Sequence, residues 1–377
     1  MFLTTRLPWT SSPLQVWAVE DTSVQVTWGN LPPGEVTAWV GDARTSIEHR
    51  GGPGGLDLKD LTPDRSYRID VSWVGGRGQV ETRTVASPPG ELMCRIATVS
   101  DLHLGAQNWG AWKMMVDRSG HEVPFAMRCA QAAIKEATEW GAELLLIKGD
   151  AAHRQHTDNF ALLGDLLDSI DLPVMLIPGN HDVDARGRGM TPSKVGERGI
   201  PFIRGVACQD LPGIRVIAAD TTVPGHGVGS VERVAADIVD LASLGSGPFL
   251  LGIHHQSQRY RFPTHYPLGV RGDEATGLLE DLSWTGTSGL ITSGHTHRNR
   301  ARSHGSLRVS EVASTRDWPG VWAGYAVHEG GIRQVVRRTA APDAMDWHEY
   351  SRRALLGIWE RWSVGRLDQR CFVHRWL

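Results

Sequence analysis

The chain has 377 residues, enough for two or three domains, and its composition is that of an ordinary globular protein. Its formal net charge of -3 shows no excess of basic residues, so the net charge gives no indication of nucleic-acid binding. No apolar run reaches the roughly 18 residues that cross a bilayer, and we expect no signal peptide in residues 1–12. The four cysteines are widely spaced without a Cys-x-x-Cys pair, which favours a reducing compartment and predicts a cytoplasmic protein.

Residues 13–85 alternate apolar and polar side chains in short runs separated by turns rich in Gly and Pro. This period-two pattern predicts a small β-sandwich. With an early Trp28 followed by Leu61 and Tyr67, the segment resembles a fibronectin type III domain, while other sandwiches stay open. It carries no His or acidic cluster with ligand spacing, so we expect a structural module, or one that mediates protein contacts or oligomerisation.

Two composition changes divide the chain. Residues 86–90 (Ala-Ser-Pro-Pro-Gly) indicate a linker, which predicts a first domain at 1–90 and a catalytic domain at 91–340. Residues 341–377 form a predicted helical extension, with Trp347, Trp359 and other aromatic residues at helical spacing. Basic residues between aromatic ones can bind nucleic acid, but packing against the body of the protein is favoured.

Five short apolar runs in the second segment each end in a loop of Asp, Asn and His. The runs cover residues 96–99, 144–147, 174–177, 249–253 and 290–293. Such runs, separated by helical patterns at 124–141, 158–170 and 231–241, predict buried and largely parallel strands. Since ligand sites of open α/β sheets lie outside the carboxyl ends of the strands, the five loops can converge. The Gly- and Arg-rich residues 183–199 predict a mobile rim.

The loops contain side chains that suit divalent first-row metals, and no thiolate. Their order along the chain is Asp-x-His at 101–103, Gly-Asp at 149–150, Gly-Asn-His-Asp at 179–182, His254 and Gly-His-x-His at 294–297. These donors suffice for two ions, with one carboxylate shared if the ions lie about 3.5–4 Å apart.

This motif set resembles the calcineurin-like metallophosphoesterase superfamily over roughly residues 94–330. The resemblance implies a four-layer αββα sandwich, here preceded by a small all-β sandwich domain. It also implies two divalent metal ions (Mn, Fe or Zn). The implied ligands are Asp101, His103 and His297 for the first ion, Asn180, His254 and His295 for the second, and Asp150 as the bridge.

The same resemblance implies the chemistry. A metal-bridging hydroxide would attack phosphorus. His181 would protonate the leaving oxygen or stabilise charge in the transition state, and Asp182 would orient His181 through its other ring nitrogen.

The sequence departs from the family pattern at two positions. His153 stands where many members carry Asp or Asn and where purple acid phosphatases carry Tyr. His103 stands where purple acid phosphatases carry Gly. A Tyr-ligated iron site is therefore not expected. Three residues are candidate substrate contacts: His153, for which a bracing role is favoured, His255 and Arg298. Only one of the adjacent His254 and His255 can point inward from a strand end, and the family pattern selects His254.

The Asp-x-His and Gly-His-Thr-His motifs are similar to the cyclic-nucleotide phosphodiesterase branch, and also to exonuclease and sugar-nucleotide pyrophosphatase branches. We therefore expect a hydrolase of a small phosphodiester such as a cyclic nucleotide. The alternatives are a phosphomonoesterase, a DNA or RNA nuclease, which the net charge disfavours, and a non-catalytic scaffold, which the intact motif set disfavours.

Overall fold

The computed structural model describes residues 13–110, 115–154, 156–183, 200–245, 247–260, 262 and 266–376. Most of the rim predicted at 183–199 therefore lies outside the described residues. Of the helices within these ranges, none combines the length and the apolar character needed to span a bilayer.

The N-terminal part is a sandwich of two antiparallel sheets. Its strands are β1 (Leu14–Val19), β2 (Val24–Leu31), β3 (Gly34–Val40), β4 (Ala43–His49), β5 (Gly52–Leu58), β6 (Ser66–Trp73) and β7 (Gly76–Arg83). One sheet has the order β1-β2-β5 and the other β4-β3-β6-β7. Apolar residues at alternate positions, including Val26, Trp28 and Ile69, are buried between the sheets. The predicted small all-β sandwich is confirmed.

Two six-stranded sheets form the centre of the second part. The first consists of β8 (Leu92–Val99), β11 (Leu144–Lys148), β12 (Val174–Ile177), β19 (Val321–His328), β20 (Gly331–Arg338) and β21 (Phe372–Arg375), in the order β12-β11-β8-β19-β20-β21. The second consists of β13 (Val206–Leu211), β14 (Ile214–Ala219), β15 (Phe249–Ile253), β16 (Gly289–Ser293), β17 (Arg300–His304) and β18 (Leu307–Glu311), in the order β13-β14-β15-β16-β18-β17. The pair β9 (Asn108–Trp109) and β10 (Met115–Val116) forms a separate ribbon.

Helices cover the outer faces of both sheets. The described helices are α1 (Phe125–Glu139), α2 (Thr157–Asp168), α3 (Ala235–Ser243), α4 (Gly272–Trp284), α5 (Pro342–Ser351), α6 (Ile358–Val364) and α7 (Leu367–Arg370). The first two pack on the first sheet, and α3 and α4 pack on the second.

Strand periodicity explains the layers. Leu144 and Leu146 of β11 join the apolar cluster between the sheets, whereas Leu145 and Ile147 face the helices. Leu250 of β15 enters the same central cluster from the second sheet. The order helix, sheet, sheet, helix confirms the predicted αββα sandwich.

The motif-bearing strands are parallel, so their carboxyl ends share an edge. β8 and β12 both run parallel to β11, and β14, β15, β16 and β18 run parallel in the second sheet. The five polar loops therefore meet at one end of the two packed sheets, as predicted.

The C-terminal extension is not wholly helical. Beyond α5 to α7, β21 pairs antiparallel with β20 and completes the first sheet. The Trp347 ring of α5 stacks on Phe125 with ring centroids 3.8 Å apart, so this segment packs against the body.

The sandwich is tied to the second part of the chain by buried charges. Glu20 accepts hydrogen bonds from Arg333 and Arg337, each at 2.7 Å. Burial alone would raise the pKa of Glu20, but the guanidinium groups of Arg337 and Arg333 outweigh it and lower the pKa. The amide of Val19 also donates to Cys371 Sγ at 3.3 Å.

Candidate metal centre

The structure brings the seven predicted ligand residues together at the carboxyl ends of the strands. Asp101 and His103 follow β8, Asp150 follows β11, Asn180 follows β12, His254 follows β15, and His295 and His297 follow β16. Five of the seven line a cavity of about 650 Å³: His103, Asp150, Asn180, His295 and His297.

One cluster forms around Asp101. Its Oδ1 lies 3.3 Å from His297 Nε2, and His103 Nε2 lies 3.6 Å from Asp150 Oδ2. Asp101 Oδ1 and His103 Nε2 are both buried and have no hydrogen-bond partner among the described residues. Buried polar atoms normally have partners, so these two atoms fit a role as ligands of a cation.

A second cluster forms around His254. Its Nε2 lies 3.5 Å from Asp150 Oδ1, 3.3 Å from Asn180 Oδ1 and 3.2 Å from His295 Nδ1. Bonds of about 2.1 Å to one ion place neighbouring donors about 3.0–3.4 Å apart, close to these spacings. Because Asp150 presents Oδ1 to this cluster and Oδ2 to the other, it is the residue the clusters share.

An acceptor behind three of the ligand imidazoles fixes their orientation. His254 Nδ1 donates to the Lys148 carbonyl at 2.8 Å, and His295 Nε2 donates to the Leu268 carbonyl at 3.1 Å. His297 Nδ1 donates to the Asp317 carboxylate at 3.0 Å. Each ring therefore directs its other nitrogen inward, the orientation found in metal-ligating histidines.

Electrostatics favour a bound cation. Burial opposes protonation of His254 and His297, yet nearby carboxylates outweigh it: Asp150 raises the pKa of His254 to about 9, and Asp317 with Asp101 raises that of His297 to about 10. Burial likewise opposes ionisation of Asp101, but His297 lowers its pKa to about 2. Together, the donor chemistry, the unpartnered atoms and the ring orientations fit two divalent ions.

The backbone at these loops is held in an uncommon conformation. Nine non-glycine residues in the described ranges have positive φ, and five of them are predicted ligands. These five are Asp101 (56°), His103 (44°), Asp150 (49°), His295 (67°) and His297 (50°). Such conformations cost of order 1–3 kcal/mol each and concentrate at functional sites, because the surrounding structure must enforce them.

Glycine is required where two loops approach closely. A Cβ on Gly179 would lie 2.2 Å from Asp150 Oδ1, and one on Gly149 would lie 2.7 Å from His254 Nδ1. Either side chain would displace the shared carboxylate or an imidazole, which explains the glycines in two of the motifs.

The expectation that Asp182 orients His181 is wrong. His181 Nδ1 donates instead to the His153 carbonyl at 2.9 Å, while its ring lines the cavity. The fully buried Asp182 carboxylate accepts from the amides of Ala151, Ala152 and Gly179, at 3.1, 2.8 and 2.9 Å. Burial, followed by the charge of Asp150, raises its pKa to about 7. Asp182 therefore fastens the loops after β11 and β12 to each other.

Of the three predicted substrate contacts, only His153 lines the cavity. Its Nδ1 lies 3.5 Å from His103 Nδ1. His255 and Arg298 are buried and contribute nothing to the described cavity wall, contrary to expectation. His255 Nδ1 is bonded to Thr221 Oγ1 at 2.9 Å, and Arg298 pairs with Glu311 at 2.9 Å, so both point into the protein.

Sequence reasoning missed much of the cavity wall. Trp109 stacks on the His297 ring with centroids 5.2 Å apart and planes inclined by 7°, and Trp359 lies 5.6 Å from Trp109. Arg316 lines the cavity; burial first, and then its charge, lower the pKa of His103 and so keep that imidazole in the neutral form that binds metals. These residues belong to no motif with a regular spacing. Only the high Trp content (15 residues) was a sequence signal for an aromatic cavity wall.

Comparisons with known proteins agree with this geometry. The sequence model of the family described as Calcineurin-like phosphoesterase matches residues 94–299. A probable cyclic nucleotide phosphodiesterase from Rhodococcus erythropolis is 27% identical over 181 residues, which cover 46% of this chain and only 57% of that protein. Another from Synechococcus sp. is 27% identical over 216 residues, 54% of this chain and 73% of that one.

A solved structure shows the same fold. A dimetal phosphatase from Danio rerio matches with a TM-score of 0.52 at 12% identity, covering 66% of this chain and 97% of that one. Taken with the family match, which spans more than half of the sequence, this places the chain in the calcineurin-like phosphoesterase family.

Proposed function

We propose that this protein is a two-metal phosphoester hydrolase that acts on a small phosphodiester, such as a cyclic nucleotide. The observation that carries the proposal is the pair of donor clusters sharing Asp150 on the floor of a cavity large enough for an organic molecule. Both curated relatives are named probable cyclic nucleotide phosphodiesterases, which supports a diester substrate.

Seven residues would hold the ions. Asp101, His103 and His297 would bind the first, Asn180, His254 and His295 the second, and Asp150 both. Imidazole and carboxylate donors suit Mn, Fe or Zn. When bound, the two ions would supply Lewis acidity toward the phosphoryl group and lower the pKa of a water molecule.

His181 would serve as general acid toward the leaving oxygen. The His153 carbonyl fixes the ring by accepting from Nδ1, so Nε2 is the nitrogen that would pass the proton. His153 therefore has a positioning role through its backbone, and its ring forms part of the wall.

The apolar side chains in the cavity wall support the proposal that the substrate carries an organic group. Trp359, Leu355, Tyr266 and Leu268 line it together with the ligands. A flat group such as a nucleobase would cover this apolar and aromatic wall and be stabilised by it. Inorganic phosphate would leave the wall exposed to water.

One assay tests this function. Metal-loaded protein is incubated with bis-p-nitrophenyl phosphate, p-nitrophenyl phosphate, cyclic AMP and single-stranded DNA, with chelator-treated protein as the control. We expect metal-dependent turnover of the first diester and of cyclic AMP above that of the monoester. Preference for the monoester would indicate a phosphomonoesterase, and turnover of DNA alone a nuclease. Inactivity with Mn²⁺, Fe²⁺ and Zn²⁺ would indicate a non-catalytic scaffold.

The N-terminal sandwich is proposed to be fibronectin type III-like. The division into sheets of three and four strands supports this, as does Tyr67, whose hydroxyl accepts from the Thr62 amide at 2.7 Å. A Tyr that bonds to backbone a few residues upstream is typical of immunoglobulin-like sandwiches. The domain limits 1–90, 91–340 and 341–377 remain proposals. All four cysteines are free thiols, which supports the proposed cytoplasmic location.

A further inference from the structure

Arg316 is a buried cation at the cavity that the proposed chemistry has not used. It lies in the loop between β18 and β19, is 2% exposed and lines the cavity beside His103 and His297. Its only ion pair among the described residues is a long one, with Nη2 3.4 Å from Asp317 Oδ1. Its Nε has no hydrogen-bond partner in the described ranges.

Asp317 does not neutralise Arg316 effectively. That carboxylate accepts from His297 Nδ1 through both oxygens, at 3.0 and 3.2 Å, and is thus committed to the imidazole. A buried guanidinium normally satisfies its donors, and an under-paired one in a cavity wall is suited to bind an anion from the cavity.

Trp109 fixes the position of the guanidinium. The Arg316 guanidinium carbon lies 4.7 Å from the centroid of the Trp109 ring, and that ring is stacked on His297. The Arg316 amide also donates to Ser314 Oγ at 3.1 Å. The cation is therefore held next to a proposed metal ligand, His297.

We propose that Arg316 binds a charged non-bridging oxygen of the substrate phosphoryl group, with Trp109 as its positioning residue. The inference rests on the proposed phosphoester hydrolysis. A guanidinium presents parallel N–H donors that match phosphoryl oxygens. Because negative charge spreads over the equatorial oxygens during phosphoryl transfer, this contact would strengthen in the transition state.

Inorganic phosphate is the probe for this site, since it needs no turnover. Its affinity for metal-loaded protein is measured by titration calorimetry, with metal content determined by elemental analysis. We expect Arg316→Gln to bind phosphate about 10- to 100-fold more weakly than the unaltered protein, the range for a hydrogen bond to a charged group. Metal content should not change, and Arg316→Lys should recover part of the affinity.

Arg308 provides a matched control. It too lies over an aromatic ring, 4.4 Å from the centroid of Phe372, and has an unpartnered Nε in the described ranges, but it is outside the cavity wall. Arg308→Gln should bind phosphate with unchanged affinity. Equal affinity in Arg316→Gln and Arg308→Gln, with metals retained in both, would overturn the proposal.

Kinetics separate this inference from the proposed function. We expect kcat/KM on the preferred diester to fall in Arg316→Gln at least as much as the phosphate affinity, by about 10- to 100-fold. If no phosphoester is hydrolysed but phosphate binding depends on Arg316, the proposed function fails and the binding role stands. If hydrolysis is normal in Arg316→Gln, the role of Arg316 fails alone.

A crystal structure keeps the proposal testable if the variant does not fold. Unaltered protein loaded with metal and orthovanadate should show an Arg316 nitrogen about 2.7–2.9 Å from a vanadate oxygen. A guanidinium turned away from the anion, or an empty cavity at saturating vanadate, would refute the assignment.

Discussion

Two buried clusters of charge, one at the interface of the sandwich and one at the metal centre, are arranged in opposite ways. At the interface, both Glu20 oxygens receive guanidinium N–H donors at 2.7 Å, so the cluster is closed on itself. At the metal centre, the two Asp150 oxygens lie 3.5–3.6 Å from the imidazole nitrogens of His254 and His103, while Oδ1 also accepts from the His181 amide at 2.8 Å. Buried charges in direct contact support the fold, whereas donors set slightly apart around a common point are prepared for a ligand.

Replacing the shared carboxylate should have the largest effect. In Asp150→Asn both sites lose a charged donor, so we expect metal binding more than about 100-fold weaker and almost no turnover, since even outer partners of ligands are worth 10- to 100-fold. Elemental analysis after gel filtration measures the bound metal. Two ions per chain in this variant would show that Asp150 does not bridge.

His181→Ala should separate binding from chemistry. Because His181 is proposed to transfer a proton and not to hold metal, the variant should keep both ions and lose about 10²- to 10⁴-fold in kcat. The loss should be greatest for poor leaving groups, which a comparison of alkyl and nitrophenyl diesters tests. Near-full rates on an alkyl diester would remove the general-acid role.

Breaking the closed cluster should harm stability and leave the chemistry intact. Glu20→Gln leaves Arg333 and Arg337 buried without their carboxylate, so we expect about 3–5 kcal/mol less unfolding free energy. Urea unfolding measures the loss, and kcat at low temperature serves as the control. Unchanged stability would mean that water or Asp21 and Asp57 compensate for the missing charge.

A smaller effect is expected when the residue that supports one ligand is changed. Asp317→Asn keeps the shape but weakens the hold on His297 Nδ1, so metal affinity should fall about 10- to 100-fold. Competition with a chelator measures this. An unchanged affinity would show that the Trp109 stack alone orients the ring.

The pH dependence of stability sharpens the same comparison. The folded-state pKa of Glu20 is lowered from 4.5, so its stabilisation is full above pH 4.5 and is lost as the pH falls through the lower, folded value. Unaltered protein should therefore lose unfolding free energy below pH 4.5, and Glu20→Gln should lose less. Parallel acid profiles for the two would contradict this.

The metal centre could be predicted from the sequence, whereas the charged cluster at the sandwich interface could not. Asp101, Asp150 and His295 could be predicted because each lies just beyond the end of an apolar strand, and parallel strands bring their ends to one edge. Glu20 and Arg333, 313 positions apart, share no local pattern, so their pairing was unpredictable. Arg316 was missed for the same reason: an irregular loop, not a strand end, positions it.

Local pattern also failed where tertiary contacts decide. Helix α4 was not predicted although Ala275, Leu278, Leu279 and Leu282 have helical spacing and are buried. The role of Asp182 was misassigned because a sequence cannot show whether a carboxylate faces an imidazole or the backbone amides of a neighbouring loop. Strand β21 exists because β20 offers it a free edge to pair with.

The placement of β21 has a practical consequence for protein engineering. Trimming the gene before residue 371 would strip a partner from β20 and leave its peptide groups available to other molecules, a known route to aggregation. Removing the sandwich would uncover Arg333 and Arg337 on the same strand. Efforts to excise a minimal enzyme should therefore keep both flanking segments, and affinity tags are better inserted in exposed turns such as that at Gly75.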